Sequence, residues 1–429
     1  MGSGDFIAGS QFHKKRHPMR IIVIGGSISS LMCGIATKHA SHDVQILEGD
    51  GDKRQSHMAG ICLGRDFLQF LNRHDRIADS FTLHSDRIQV LNQQAKALLL
   101  VKTERNITMW DALYYRLRAI FDGYASSYYP VAPHAMAADG PAIYKSKSRV
   151  LDVRNDDDRN GMVVTYEDVN SRRMNSIPAD LVVGADGPSS FIRGKYLPHC
   201  QENYCGFVPE SAVSKETVQA FSKNVNVFMK NRSHCLTYIV PGPHGSLRSG
   251  ERFLNFAWYI NQTPAEVDTI MRDSKTGRLH HRTVPSGHVD PSLWTKQRRI
   301  AQNTPMPAPF LDVINDVQGR KAVFEDGKIV LIGDGLSSLR PHTAFSASQA
   351  AFHVLTLEDT IAQQGDLREW ESRVLRFGYL HSVQSWWFSN FYQSDYLTAA
   401  VSAVWYWAMR FGDSAGSWWV GEQRVLRES

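Results

Sequence analysis

Cysteine is scarce in this chain. There are five in 429 residues, at Cys33, Cys62, Cys200, Cys205 and Cys235, and no C-x-x-C pair occurs. An odd set at irregular spacing does not make a disulfide framework, so the reading is a reduced, cytoplasmic chain. Cys200 and Cys205 have no second pair at finger-like spacing, and no metal site is expected. Long apolar runs are also missing. The basic run from His13 to His17 is not followed by an apolar stretch of signal-peptide length, and residues 1–18 read as a disordered leader. Near the other end, LTAAVSAVWYWAMRF (Leu397 to Phe411) falls short of the roughly twenty residues that span a bilayer. It reads as a packed C-terminal helix, with association at a membrane interface left open by its Trp and Tyr. A strong excess of either charge is lacking too. The formal net charge of +5 is small for this length; it gives no case for nucleic acid and slightly favours anionic small molecules. Internal repeats and low-complexity segments are absent.

What is present is a pattern of strands ending in glycine. RIIVI (Arg20 to Ile24) runs into glycines, Ser29 to His39 has helical spacing, and VQIL (Val44 to Leu47) is a second strand ending in Glu48. Strand, turn, helix, strand is the opening of a Rossmann-type unit. Helical spacing returns at Gly64 to Arg76 and strongly at WDALYYRLRAIFD, Trp110 to Asp122. Antiparallel strands are expected at Val150 to Val153 and Met162 to Tyr166. The middle third differs. Val225 to Met229, Cys235 to Val240 and Phe253 to Ile260 alternate like strands of a sheet with one exposed face. KIVLI (Lys328 to Ile332) is again a buried strand, and a long helix follows over Ser346 to Gln364. The expected architecture is α/β and α+β: a discontinuous nucleotide-binding domain, an inserted β-sheet substrate domain and a helical C-terminus. The boundaries are nucleotide-binding parts at 19–90, 110–199 and 321–365, substrate-domain strands at 91–109, the substrate sheet at 200–320, and C-terminal helices at 366–429.

Three segments carry the chemistry. VIGGSISSLMCG (Val23 to Gly34) sits where a dinucleotide-binding turn reads G-x-G-x-x-G, but Ser27 and Ser30 stand in for two glycines. Such a turn offers backbone N–H groups at a helix N-terminus to a pyrophosphate, which marks Gly25, Gly26, Ser27, Ser29 and Ser30. An acidic residue about where Glu48 lies accepts hydrogen bonds from ribose hydroxyls. LVVGADGPSSFIR (Leu181 to Arg193) and IVLIGDGLSSLRP (Ile329 to Pro341) each end a buried strand in Gly plus Asp. Either Asp alone reads equally well as a helix N-cap; their order after a Gly-rich turn favours a cofactor.

On these residues the chain resembles the single-component flavin-dependent aromatic hydroxylases of the para-hydroxybenzoate hydroxylase fold. G-A-D-G-x-x-S-x-x-R is matched at Gly184, Ala185, Asp186, Gly187, Ser190 and Arg193. Gly333, Asp334 and Pro341 match that family's third motif, in which Asp binds the ribityl chain and Pro lies by the flavin ring. VIGGSIS, AGI (Ala59 to Ile61), WDALYYRLRAIFD, LNFAWYIN and LIGD…RPH are closest to the 2,6-dihydroxypyridine 3-monooxygenase branch and its fungal relatives, in which a serine at the position of Ser27 is usual. The resemblance covers about residues 20 to 375. It implies FAD bound by Gly25, Gly26, Ser27, Ser29, Ser30, Glu48, Gly60, Ile61, Asp186, Gly187, Gly333, Asp334 and Pro341. NADPH or NADH and O2 are implied as co-substrates. The implied reaction is hydroxylation of an electron-rich aromatic or heteroaromatic small molecule through a flavin C4a-hydroperoxide, in secondary metabolism or aromatic catabolism. His342, Tyr238 and Tyr259 are the catalytic candidates. Tyr238, Asn255, Trp258 and Tyr259 lie on strands expected to line the cavity, and alternation lets only half of them face it. Arg340 is a candidate for an anionic group. Departures are Ser30, Ser337, Ser346, Ser348, Trp110, the acidic helix residue replaced by Phe352 or His353, and YCGFVPES in place of a W-R-G segment. They leave three alternatives: epoxidation, Baeyer–Villiger insertion, or a non-oxidative cyclase or binding role. A homodimer is left open.

Overall fold

The computed structural model describes residues 18–51, 59–91, 97–197 (bar 157), 206–209, 221, 223–230, 233–260, most of 264–295, 311–312, 317–340, 343–393 and 396–425. The leader, Cys200, Cys205, Pro341 and His342 lie outside these residues.

The nucleotide-binding core is a six-stranded sheet. In spatial order it runs β18 (Val323–Phe324), β19 (Ile329–Leu331), β10 (Leu181–Gly184), β1 (Arg20–Ile24), β2 (Asp43–Leu47) and β6 (Ala142–Lys145). All neighbours are parallel except the β18–β19 edge pair. Its central strands are continuous β-branched and Leu runs because both faces are covered. Ile21, Ile22, Val23, Val182, Val183, Val330 and Leu331 are all buried, and each contributes about 1.5–3 kcal/mol by leaving water. One face is covered by α1 (Ile28–His39) and α3 (Trp110–Asp122). α1 comes closest where Gly34 stands: a Cβ there would lie 2.8 Å from the Phe121 ring of α3. Gly123, in the left-handed region at φ 72°, ends α3.

The second sheet has seven strands, in the order β11 (Gly206–Pro209), β14 (Phe253–Ile260), β13 (Ser233–Val240), β12 (Asn224–Lys230), β4 (Leu83–Leu91), β5 (Ala97–Met109) and β3 (Gly60–Leu63). It draws β3, β4 and β5 from before α3 and the rest from after β10, so the chain passes between the two sheets more than once. β3 leads into α2 (Arg65–His74) and β10 into α4 (Phe191–Tyr196). Smaller sheets are β7 (Ser148–Asp156), β8 (Gly161–Asp168) and β9 (Met174–Ala179), then β15 (Thr283–Val284) with β16 (Leu311–Asp312), and β17 (Val317–Gln318) with β20 (Ser337–Ser338). The excursion after β14 contains α5 (Pro264–Ile270).

Three helices close the chain: α6 (Ser346–Gln363), α7 (Leu367–Gln393) and α8 (Tyr396–Val425). The stretch Leu397 to Phe411 lies inside α8, but only one of its faces is packed. Tyr406 is buried and stacks on Trp387 of α7 at 5.1 Å, while Leu397, Val401, Val404 and Phe411 are exposed. The sequence reads as a packed helix there, and among the described residues α8 packs on α7. Among the described residues no helix is long and apolar enough to cross a membrane.

Candidate functional site: a cleft where three strands end

β1, β10 and β19 are adjacent and parallel, so their C-terminal ends open at one edge of the sheet, where ligands bind in such folds. Gly25 follows β1 at φ 96°. A Cβ there would lie 2.6 Å from Asp186 Cα and 2.7 Å from the Ala185 carbonyl oxygen. A Cβ at Gly26 would lie 2.7 Å from Glu48 and would also strike the Tyr144 hydroxyl, which donates to the Gly26 carbonyl at 2.9 Å. Ser27 is the N-cap of α1 and makes no side-chain cap bond, so the first N–H groups of the helix are left for a ligand. Ser29 packs against Gly333, which has φ 59°. Ser30 is fully buried and donates to the Ala185 carbonyl at 3.1 Å. The serine in place of the third glycine therefore joins α1 to the end of β10 by a hydrogen bond, and its hydroxyl is satisfied. Glu48 ends β2, is buried, and accepts from the Asp50 N–H at 2.9 Å.

The second motif is held by its own helix. Asp186 accepts from the Ser190 hydroxyl and from the Phe191 N–H at 2.6 Å, and more weakly from the Ile192 N–H at 3.3 Å. Ser190 caps α4 by accepting from the Arg193 N–H at 2.9 Å. Burial pushes the Asp186 carboxyl up, against the pull of Ser190 and the backbone N–H groups. The N-cap of α4 is thus Ser190 and not Asp186, which braces the start of the helix from four residues upstream. Gly187, at φ 73°, would direct a Cβ into open space. Arg193 donates to the carbonyls of Pro188, Asp334 (3.1 Å) and Gly335 (2.9 Å), tying the second motif to the third.

In the third motif, Ile332 N–H donates to the Gly184 carbonyl at 2.9 Å, and Gly333 N–H donates to His353 Nδ1 at 3.0 Å. His353, on α6, is fully buried and pushed down to about 3 by that burial. His353 is therefore a neutral acceptor for the turn that presents Asp334, whereas Phe352 stacks on Phe377 of α7. Ser348 accepts from Gly64 N–H at 3.0 Å, which fastens α6 to the β3–α2 junction. Trp110 stacks on Tyr114 at 4.7 Å.

Gly60 and Ile61 lie on β3, the edge strand of the larger sheet. Tyr238 of β13 crosses to that edge, and its hydroxyl donates to the Gly60 carbonyl at 3.4 Å. A Cβ at Gly60 would lie 2.5 Å from the Tyr238 ring. Register places Tyr238 opposite Asn255 and His234 opposite Tyr259, so Tyr238, Asn255 and Tyr259 share one face and Trp258 the other. Tyr259 stacks on His234 at 4.7 Å, and His234 stacks on Tyr392 of α7 at 4.6 Å. This three-ring column joins the sheet to α7, and sequence reading missed two of its members; no local signal marks them. Arg340, at the mouth of the third motif, donates to Ser389 of α7 at 2.8 Å.

A family model described as FAD binding domain-like matches residues 202–320. The chain is 25% identical over 392 residues to 2,6-dihydroxypyridine 3-monooxygenase of Paenarthrobacter nicotinovorans, covering 85% of this chain and 90% of that protein. The structure of 2,6-dihydroxypyridine-3-hydroxylase from Arthrobacter nicotinovorans superposes with a TM-score of 0.75 at 21% identity, over 89% of this chain and 94% of the other. Klebsiella pneumoniae HpxO complexed with FAD and uric acid superposes with a TM-score of 0.60 at 16% identity, over 91% and 92% of the two chains. By sequence the chain is similar to a 2,6-dihydroxypyridine 3-monooxygenase, and by fold to the solved structures of a 2,6-dihydroxypyridine-3-hydroxylase and of an FAD-complexed protein.

Proposed function

We propose that the protein is a monooxygenase that binds FAD, uses NADPH or NADH with O2, and hydroxylates an electron-rich aromatic or heteroaromatic small molecule. The observation that carries this reading is the convergence of Gly25, Gly187 and Gly333 at the ends of β1, β10 and β19, with Glu48 beside them. Gly25 and Gly26 have no room for a side chain, and a pyrophosphate needs that close backbone approach. The residues therefore fit FAD. Gly25, Gly26, Ser27 and Ser29 would hold its phosphates, Glu48 its ribose, and Asp334 its ribityl chain, while Ser30, expected from the sequence to touch the cofactor, is buried and braces the turn through its bond to Ala185. Asp186 and Gly187 would shape the walls, Gly60 and Ile61 would flank the ring, and Pro341, outside the described residues, is proposed on sequence alone to lie by it. When bound and reduced by NAD(P)H, the flavin supplies the activation of O2.

The chain's own residues bind, orient and keep the site dry. Tyr238, anchored on Gly60, is placed to set the distance between β3 and the substrate sheet, and Tyr259 in the ring column closes the far wall. Water exclusion matters because in an open site the electrons of NAD(P)H would pass to O2 as hydrogen peroxide with no oxygen delivered to the substrate. His342, which lies outside the described residues, is proposed on sequence alone as a polar group near the flavin that takes a proton from a substrate hydroxyl. The satisfied hydroxyl of Ser30 gives no support to the alternative in which cofactor binding is lost. The exposed face of α8 is proposed as the surface for any membrane-interface contact or self-association.

The test is direct. Purified protein should be yellow, and NAD(P)H and O2 consumption should rise when a panel of phenols, hydroxypyridines and indoles is screened. One product oxygen should derive from labelled O2. Colourless protein that takes up no added FAD would sink the reading.

A further inference from the structure

Arg105, near the end of β5, has no counter-charge among the described residues. Its Nη1 donates to the Cys62 sulfur at 3.5 Å, a weak acceptor, and its Nε is enclosed without any acceptor. Other half-buried or buried arginines of this chain are treated differently. Arg76 meets Asp139, Arg116 meets Asp75, and Arg118 meets Asp122. A guanidinium withdrawn from water is ordinarily paired, and among the described residues Arg105 is given only the weak Cys62 acceptor.

Its surroundings are those of the substrate face. Register sets Cys62 opposite Ile107 and Ser85 opposite Arg105. Ile107 packs with Tyr238, the residue that reaches Gly60. On the other side the Arg105 charge acts on the buried Tyr392 hydroxyl, easing its ionisation against a burial that pushes it up to about 12. Tyr392 belongs to the ring column, and Ser389, one turn earlier on α7, holds Arg340. Arg105 therefore faces the space between the sheet and the end of α7.

We propose that Arg105 is the specificity-determining residue of the substrate site and pairs with a negatively charged oxygen on a flat aromatic substrate, either a carboxylate or an ionised ring hydroxyl. The fork formed by its Nε and outer N–H groups suits two coplanar acceptors, and such charge-assisted bonds are short and directional. The aromatic walls then take the ring, and the charge sets which ring carbon faces the flavin. The proposal rests on the reading of the cleft as a flavin-dependent hydroxylase site.

Equilibrium titration of the FAD-loaded protein, followed by the change in flavin absorbance, tests it without turnover. One arm compares 6-hydroxynicotinate with 6-hydroxynicotinamide; the other compares 2,6-dihydroxypyridine at pH 8 with 2,6-dimethoxypyridine. In at least one arm the anion should bind roughly 10-fold or more tightly than its neutral partner. Arg105→Gln should remove roughly 10- to 100-fold of the anion's affinity and leave the neutral ligand within about twofold, and Arg105→Lys should recover part of the loss. The arm that responds identifies the source of the charge. Arg105→Met replaces the Gln variant if that fails to fold. The proposal is overturned if neither anion binds, if anion and neutral partner bind alike, or if the preference survives in Arg105→Gln. Protein that holds no FAD would instead defeat the hydroxylase reading; the same titrations followed by tryptophan fluorescence then still report on Arg105.

Discussion

The two walls of the cleft are made in different ways. On the nucleotide side, position is set by backbone and by side chains whose bonds are already made. Ser30 is spent on Ala185, Asp186 on the start of α4, Arg193 on three carbonyls, and His353 on Gly333. On the substrate side, rings are stacked across from helix to sheet and one guanidinium meets only a thiol. A cofactor that is always the same can be met by backbone N–H groups on a turn held rigid by side chains that are already bonded. A substrate must be recognised by something left unpaired until it arrives, so the difference separates what holds the cofactor from what chooses the substrate.

Substitutions can break this contrast, and the largest effect is expected at Gly25. Gly25→Val puts a branched side chain at φ 96° against the Asp186 backbone, where it has nowhere to go. A loss of about 3 kcal/mol or more is expected, read as a large fall in melting temperature with FAD lost; unchanged melting would show that the turn can move. Arg193→Met leaves the carbonyls of Pro188, Asp334 and Gly335 without their donor and should cost about 2–3 kcal/mol, with FAD affinity falling together with stability. Arg105→Gln provides the contrast, since it should alter ligand selectivity and leave FAD binding in place.

Acid should affect both walls through their histidines. His234 and His353 are pushed down to about 3 by burial, whereas an unfolded histidine titrates near 6.5. The folded value is the lower one, so this stability is fully present above about pH 6.5. It is lost as pH falls from there towards 3, at about 1.4 kcal/mol per pH unit for each histidine. Denaturant melts between pH 7 and 5 should show this slope, and His234→Phe, which keeps a ring in the column, should make it shallower by one histidine. An unaltered slope would place the proton uptake elsewhere. The smallest effect is expected for Ser30→Ala, which removes one buried hydrogen bond and should cost about 1 kcal/mol with little change in FAD content. A large loss of FAD there would mean that the hydroxyl also serves the phosphate.

The nucleotide side was largely legible because its information is local. RIIVIGG, LVVGADG and IVLIGDG each carry strand, turn and special glycine within a few neighbouring residues, and the structure places all three strands side by side. α3 has the bounds that its spacing predicts, Trp110–Asp122. The substrate side was legible only as strands. Alternation marked Tyr238 and Tyr259 but not His234, and nothing local tied either to Tyr392. The meeting of Arg105 with Cys62 spans 43 residues, and neither residue belongs to a motif. The reading of Asp186 shows the converse: its motif was plain, yet its partners are its own helix N-terminus.

By itself, then, the sequence determined the strands, the left-handed glycines and the order of the three turns, because φ preference, β-branching and apolar periodicity act between near neighbours. Tertiary structure alone decided that Ser30 binds Ala185, that His353 supports Gly333, and that α8 shows one apolar face outward. Contacts between residues far apart in the chain depend on how whole elements dock, and docking is set by the fit of many surfaces at once.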